Sequence, residues 1–161
     1  MKTIGIFTTD EITALRAASD ILCKYKISET DVTKHIRTKS NLYVEFSDGT
    51  YLKWIRPNTN SRGQKVTDAY IDISTCSLEE ISTIIIPLIV NFDREPEIVI
   101  VDNNSDYKDY DLDTIIDRLQ KIRYIKGNLQ SVGYYDEEYG WQTIKGINVA
   151  SNNSISFESP I

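Results

Sequence analysis

The sequence is poor in the residues that make covalent or metal staples. Its 161 residues include two cysteines, Cys23 and Cys76, and a single histidine, His35. The cysteines lie far apart and fit no metal-ligand spacing, which argues against a structural zinc site and a disulfide framework. The phosphate-gripping pattern G-x-x-x-x-G-K-[ST] is missing, as is the nucleophile elbow G-x-S-x-G, so two large groups of enzymes lose their signature. Long apolar runs are also missing. The most apolar stretch, Ile84 to Val90, spans seven residues and contains Pro87, far short of a membrane span. The start, Met-Lys-Thr-Ile-Gly-Ile-Phe, lacks the extended apolar region of a signal peptide. These absences predict a soluble cytoplasmic protein with no membrane partner. With four prolines and seven glycines, no Pro/Gly/Ser linker divides the chain. One α/β domain is expected over 1–161, as a core over 1–126 and a β-rich extension over 127–161.

Charge is what the chain does have, unevenly distributed. The net charge is −6. Residues 1–66 carry 11 Lys+Arg against 7 Asp+Glu, a balance of +4, and residues 67–161 carry 7 against 17, a balance of −10. Two differently charged faces follow from such a split. An acidic whole excludes a broad DNA-coating footprint but leaves room for a local basic patch.

The pattern of elements is β-α-(β-hairpin)-β-α-β-α-βββ. Thr3 to Phe7 reads as a strand. Thr8 to Glu11 reads as a capping box opening a helix over about 9–26, with Ile12, Leu15, Ala18 and Leu22 inward. Ser28 to Asp31 marks a second start, for a short helix or turn reaching Arg37. In "NLYVEFSDGTYLKWIRP" two alternating runs flank Ser47-Asp48-Gly49, a hairpin over 42–55. A two-residue loop would mix polar and apolar residues on both faces. A three-residue loop with Gly49 left-handed pairs Val44 with Leu52 and Leu42 with Trp54, with Phe46 on the same face. Ala69 to Ile73 is a short buried strand. Ser77 to Glu80 caps a helix that buries Ile81, Ile84, Ile85, Leu88 and Ile89 and that Pro87 should kink. "EIVIV", 97–101, reads as a parallel or central strand. A helix follows from Asp111 or Asp113 to about Tyr124. The closing glycines, Gly127 to Gly146, punctuate a β-meander. The expected fold is α/β: a central mixed sheet with flanking helices, the hairpin at 42–55 and a C-terminal β-meander.

The stretch "SRGQKVTDAYIDIST", 61–75, joins a basic loop to an apolar strand that ends on Asp72. With the hairpin before it, it resembles the middle of a phage terminase large-subunit ATPase domain, a RecA-like P-loop fold. Phe46, Asp48 and Gly49 match that family's hairpin, Arg62-Gly63 its loop, and Tyr70-Ile71-Asp72 its Walker B strand. The following helix and "EIVIVD" keep the family's order. The resemblance covers about a third of the chain. It implies a nucleotide-handling scaffold and a phage origin, hence the host cytoplasm. The departures bear on activity: there is no Walker A loop, and Ile73 stands where the second Walker B acid would orient water. ATP hydrolysis by this chain alone is therefore not expected.

Several residues remain as candidates for chemistry or contact. Asp72 and Asp102 both end predicted strands. If those strands are neighbours, the pair could share a Mg²⁺ as in a metal-dependent nuclease or phosphohydrolase, and otherwise they cap the next turn. Arg56, Arg62 and Lys65 are candidates for phosphate or nucleic-acid contact. Lys34, Arg37 and Lys39 extend that cluster, with Tyr43 and Tyr51 as stacking platforms, against the alternative of a solvated face. The opposite sign marks Tyr107 and Tyr110 within "DNNSDYKDYDLD", and Tyr134, Tyr135, Asp136, Glu137, Glu138, Tyr139 and Trp141. Tyrosine and tryptophan in acidic surroundings suit a basic groove on a protein partner. The function expected is non-enzymatic binding or regulation of a partner, such as a nucleic-acid-handling enzyme, without catalytic triad, metal or cofactor. The alternatives are the Mg²⁺ enzyme using Asp72 and Asp102, and a phage assembly or packaging component.

Overall fold

The computed structural model describes residues 2–24, 31–90, 94–102 and 111–127, and the strand segments 133–136, 140–143, 146–149 and 155–158. By its contacts the chain divides into two compact units, Met1–Ile125 and Lys126–Ile161.

The first unit is an α/β sandwich around a six-stranded mixed sheet. Its strands are β1 (Thr3–Phe7), β2 (Val32–Thr38), β3 (Asn41–Phe46), β4 (Tyr51–Ile55), β5 (Asp68–Asp72) and β6 (Ile98–Val101), in the order β2-β3-β4-β1-β5-β6. β1 lies inside, parallel to both β4 and β5, and β6 runs parallel to β5. β3 is antiparallel to β4, and β2 to β3. Helix α1 (Glu11–Lys24) packs Ala14, Ala17, Ala18 and Ile21 on one face, against Ile4, Ile6, Leu42, Val44, Phe46, Leu52 and Trp54. The other face buries Phe7, Ile55, Ala69 and Ile71 beneath the helical segment 78–88 and α4 (Leu112–Lys126).

The hairpin has the register that side-chain facing requires. Val44 pairs with Leu52, Phe46 N–H donates to the Thr50 carbonyl at 2.9 Å, and Gly49 takes φ +79°. Ser47 to Gly49 thus form the three-residue loop. Ser77 and Glu80 make the expected capping box, opening α2 (Leu78–Glu80). A π-helical stretch, Ile81–Ile85, then runs into α3 (Ile86–Leu88). Proline at 87 has no N–H, and its ring presses on the carbonyl four residues back. Widening the turn, so that Ile86 N–H reaches the Ile81 carbonyl, relieves that clash without ending the helix.

Three expectations need correction. Residues 32–38 form an edge strand, not the short helix or turn expected to reach Arg37. Charged residues at 34 and 37 suit an edge, where they discourage pairing with other chains. α1 begins two residues later than the Thr8 cap predicts, and Ile12 is 59% exposed, whereas Ala18 is buried and Leu15 and Leu22 pack against the core as expected. Its cap is Asp10, whose Oδ2 accepts from Thr13 N–H at 2.7 Å. The apolar strand at 98–101 is parallel, as expected, but lies at the sheet edge and is only half-buried.

The second unit holds β7 (Gly133–Asp136), β8 (Gly140–Thr143), β9 (Gly146–Val149) and β10 (Ile155–Glu158). They pair antiparallel as β7-β8 and β9-β10, in two separate two-stranded sheets.

Candidate functional site

Open α/β sheets hold ligands at the carboxyl ends of their parallel strands, and here that edge holds the buried polar groups Thr8, Asp72 and Lys121. β5 ends on Asp72, which is 2% exposed. Its neighbours in the sheet are β1, which runs into Thr8, and β6, which runs into Asp102. The register pairs Asp72 with Val101, so the two acids do stand on adjacent strand ends.

The Asp72 carboxylate is already enclosed by donors from its own chain. Thr8 Oγ1 donates to Oδ2 at 2.8 Å and Thr75 Oγ1 to the same oxygen at 2.9 Å. Ser74 N–H donates to Oδ1 at 2.9 Å, joined by the Ser74 hydroxyl. Thr8 Oγ1 also accepts from Asp10 N–H at 3.1 Å, tying the strand end to the start of α1. A divalent cation needs open carboxylate oxygens, and these two are occupied. Among the described residues no group of three or more Asp, Glu, His or Cys side chains is placed to hold a metal. The donor set therefore does not fit the Mg²⁺ site that the Asp72–Asp102 pair suggested.

Helix α4 seals the same edge. Arg118 donates to the carbonyl of Ile73 and reaches that of Ser74 at 3.4 Å. Its Nε stands 3.4 Å from Asp102 Oδ1, an ion-pair distance without hydrogen-bond geometry. Lys121, 5% exposed, donates to the Ile73 carbonyl at 3.1 Å and to Asp117 Oδ2 at 2.6 Å. Cys76, beneath this loop, is buried, and burial pushes its thiol up to about 12. It is not a nucleophile at neutral pH.

No phosphate cradle stands at α1. The turn from β1 to α1 is Thr8-Thr9-Asp10, without glycine. The Asp10 carboxylate takes the N–H of Thr13, which holds it below the usual carboxylate range. A negative charge already occupies the helix start that a phosphate would need.

The basic candidates lie elsewhere. Arg62 and Lys65 are exposed on the loop before β5. Arg56 sits over the Trp54 ring at 4.6 Å and donates to the Lys39 carbonyl at 3.2 Å. It borders an open groove of about 470 Å³ on the face of β2–β4 away from α1. There Tyr43 and Tyr51 approach with ring centroids 5.6 Å apart, and Lys34 and Lys53 stand over those rings at 5.7 and 5.9 Å. Glu45 shares the face and accepts from the Tyr43 hydroxyl at 3.1 Å.

Of the acidic partner-binding candidates, Tyr107, Tyr110, Glu137, Glu138 and Tyr139 lie outside the described residues. Tyr134, Tyr135 and Asp136 form most of β7, and Trp141 lies on β8, with Tyr135 opposite Trp141 in the register. Sequence reasoning missed Thr8, Thr75, Arg118 and Lys121. Thr8 carried one signal, a hydroxyl directly after a buried strand. Arg118 and Lys121 carried none beyond charge on an amphipathic helix.

No helix among the described residues is long and apolar enough to cross a membrane. Comparison with known proteins finds no family model, curated protein or solved structure that matches this chain.

Proposed function

We propose that the chain is a non-enzymatic binding or regulatory protein, acting by surface contact on a nucleotide-handling type of scaffold that has no grip for a triphosphate. The observation that carries this reading is the saturation of Asp72: the edge where such a sheet would work on a ligand is filled by Thr8, Ser74 and Thr75. Asp10 at the start of α1 supports it further. The partner in this reading is a protein with a basic groove, such as a nucleic-acid-handling enzyme. It meets an acidic, tyrosine-rich segment that includes Tyr134, Tyr135, Asp136 and Trp141, with Tyr135 opposite Trp141 in the strand register.

Two measurements test the proposal. The purified chain should turn over no nucleoside triphosphate and cleave no nucleic acid with Mg²⁺ or Mn²⁺. Metal-dependent cleavage that disappears in Asp72→Asn would replace the reading with the metal-enzyme alternative. Affinity capture from cell extract should retain a partner that the double variant Tyr135→Ala, Asp136→Ala releases. Retention unchanged by that variant would remove the acidic surface from the account.

A further inference from the structure

We infer that the uncovered face of β2–β4 binds single-stranded nucleic acid, in the groove between the Tyr43–Tyr51 pair and the 58–64 loop. This surface is distinct from the acidic segments, and the inference stands independently of the protein partner.

Among the described residues no helix packs on this face. α1 covers the opposite side of β3 and β4. On this side the buried cluster takes Ile55 from the end of β4 and otherwise draws its strand residues from β1, β5 and β6. Lys34 and Ile36 on β2 are exposed, and Tyr43, Tyr51 and Lys53 are half-buried. Aromatic rings on a sheet with no helical lid offer a flat π-surface to an unpaired base, whatever its identity.

Charge selects the occupant. Residues 32–65 carry seven basic side chains against Glu45 and Asp48, a local balance of +5 in a chain of net −6. Among the described residues the groove is lined by Lys34, Lys53 and Arg56 and by no acid; Glu45, which shares the face, is engaged by the Tyr43 hydroxyl. The rest of the molecule, at −11 by difference, repels a polyanion and so directs it to this one patch. The two lysines stand nearly 6 Å from the ring centroids. Such exposed cation–π contacts are weak and can give way to a phosphate. The loop wall adds the exposed amides of Asn60 and Gln64, which both donate and accept toward base edges, and the NH2 group of Asn58, whose Oδ1 already accepts from Asn60 N–H and the Ser61 hydroxyl. An acidic peptide would satisfy the lysines but leave the paired tyrosines and the amide wall without a role.

Fluorescence anisotropy with short labelled oligonucleotides tests the inference on the full chain. Oligodeoxyuridylate and oligouridylate, which differ only in the sugar, should both bind. The matching duplex should bind more weakly. Three cations predict a salt dependence of log Kobs on log salt with a slope of about −2. Tyr43→Ala should weaken binding by about fivefold or more. Lys34→Glu, fully on the surface, should weaken it without disturbing the fold, whereas Arg123→Ala on α4 should leave it unchanged. No binding at low salt would overturn the inference. So would equal affinity for duplex, competition by polyglutamate as effective as by oligonucleotide, or binding that survives Lys34→Glu and Tyr43→Ala in protein with native circular dichroism.

Discussion

Asp72 illustrates how a residue that looks catalytic by position becomes structural by its partners. Four donors from Thr8, Ser74 and Thr75 converge on it, and it is buried. So many donors on one carboxylate lock β1, β5 and the loop after β5 together. Replacing it leaves hydroxyls and an N–H turned toward a group that no longer accepts them all. Asp72→Asn should therefore cost about 1.5–3 kcal/mol of stability in urea denaturation, the range for hydrogen bonds to charged groups. Asp102, which is exposed, should cost less than about 1 kcal/mol on the same change. Asp68 gives a pH-dependent counterpart at the opposite end of β5. Burial pushes its carboxyl up, but Arg94, the Glu97 N–H, Lys2 and Thr67 outweigh burial and hold it below the ordinary range. Its folded pKa thus lies under the unfolded value of about 3.9. The stability it contributes is complete above that value and is lost as pH falls through the folded pKa. Urea midpoints followed from neutral pH into acid should fall, and Asp68→Asn should flatten that limb. The thiols make a third test: exposed Cys23 should label rapidly, and Cys76, at about 12, only on unfolding.

At the scale of elements, what was legible from sequence depended on how strongly the pattern constrained the packing. The hairpin register could be deduced because a one-residue slip would turn Val44, Leu52 and Trp54 to the wrong face. Gly49 is the hinge of that register. At φ +79°, with nothing within 4 Å of an added Cβ, the penalty of Gly49→Ala is conformational alone. It should be about 1 kcal/mol, read as a shift in the thermal midpoint with an unchanged spectrum. The phase of α1 was only partly legible: Leu15, Ala18 and Leu22 do turn inward, but apart from Ile21 the fully buried face is the small residues Thr13, Ala14, Ala17 and Ala18. Small side chains let a helix lie close on a sheet, yet they weigh less in an apolar pattern than Ile12, which faces solvent. β2 was missed for a related reason. Six of its seven residues are exposed, so its strand character comes from pairing with β3 and not from burial. The groove was half legible: Tyr43, Tyr51, Lys34 and Arg56 stood out in sequence, but the strand that brings Lys34 beside Tyr43 did not. The closed strand edge was the least legible, since Arg118 and Lys121 reach it from α4, more than forty residues after Ile73.

For the whole molecule, the division at 125/126 has a thermodynamic consequence. Among the described residues the first unit has two buried apolar clusters of its own, from Ile4 on one side of the sheet to Ile125 on the other. The second unit spans Lys126–Ile161 and is described as two separate two-stranded sheets. Chains below about 40 residues seldom fold without a disulfide, a metal or a partner, and this segment holds no cysteine or histidine. Residues 1–126 should therefore fold alone, with a cooperative urea transition and the native far-ultraviolet spectrum, whereas 126–161 alone should show no transition. The m-value of the shorter chain should fall no more than its smaller exposed surface requires. A loss of cooperativity on truncation would mean that the sheet of the first unit depends on the second. Oligonucleotide binding supplies an independent reading of the same truncation. Lys34, Tyr43, Tyr51, Lys53 and Arg56 all lie before residue 126, so the shortened chain should retain the affinity of the full one.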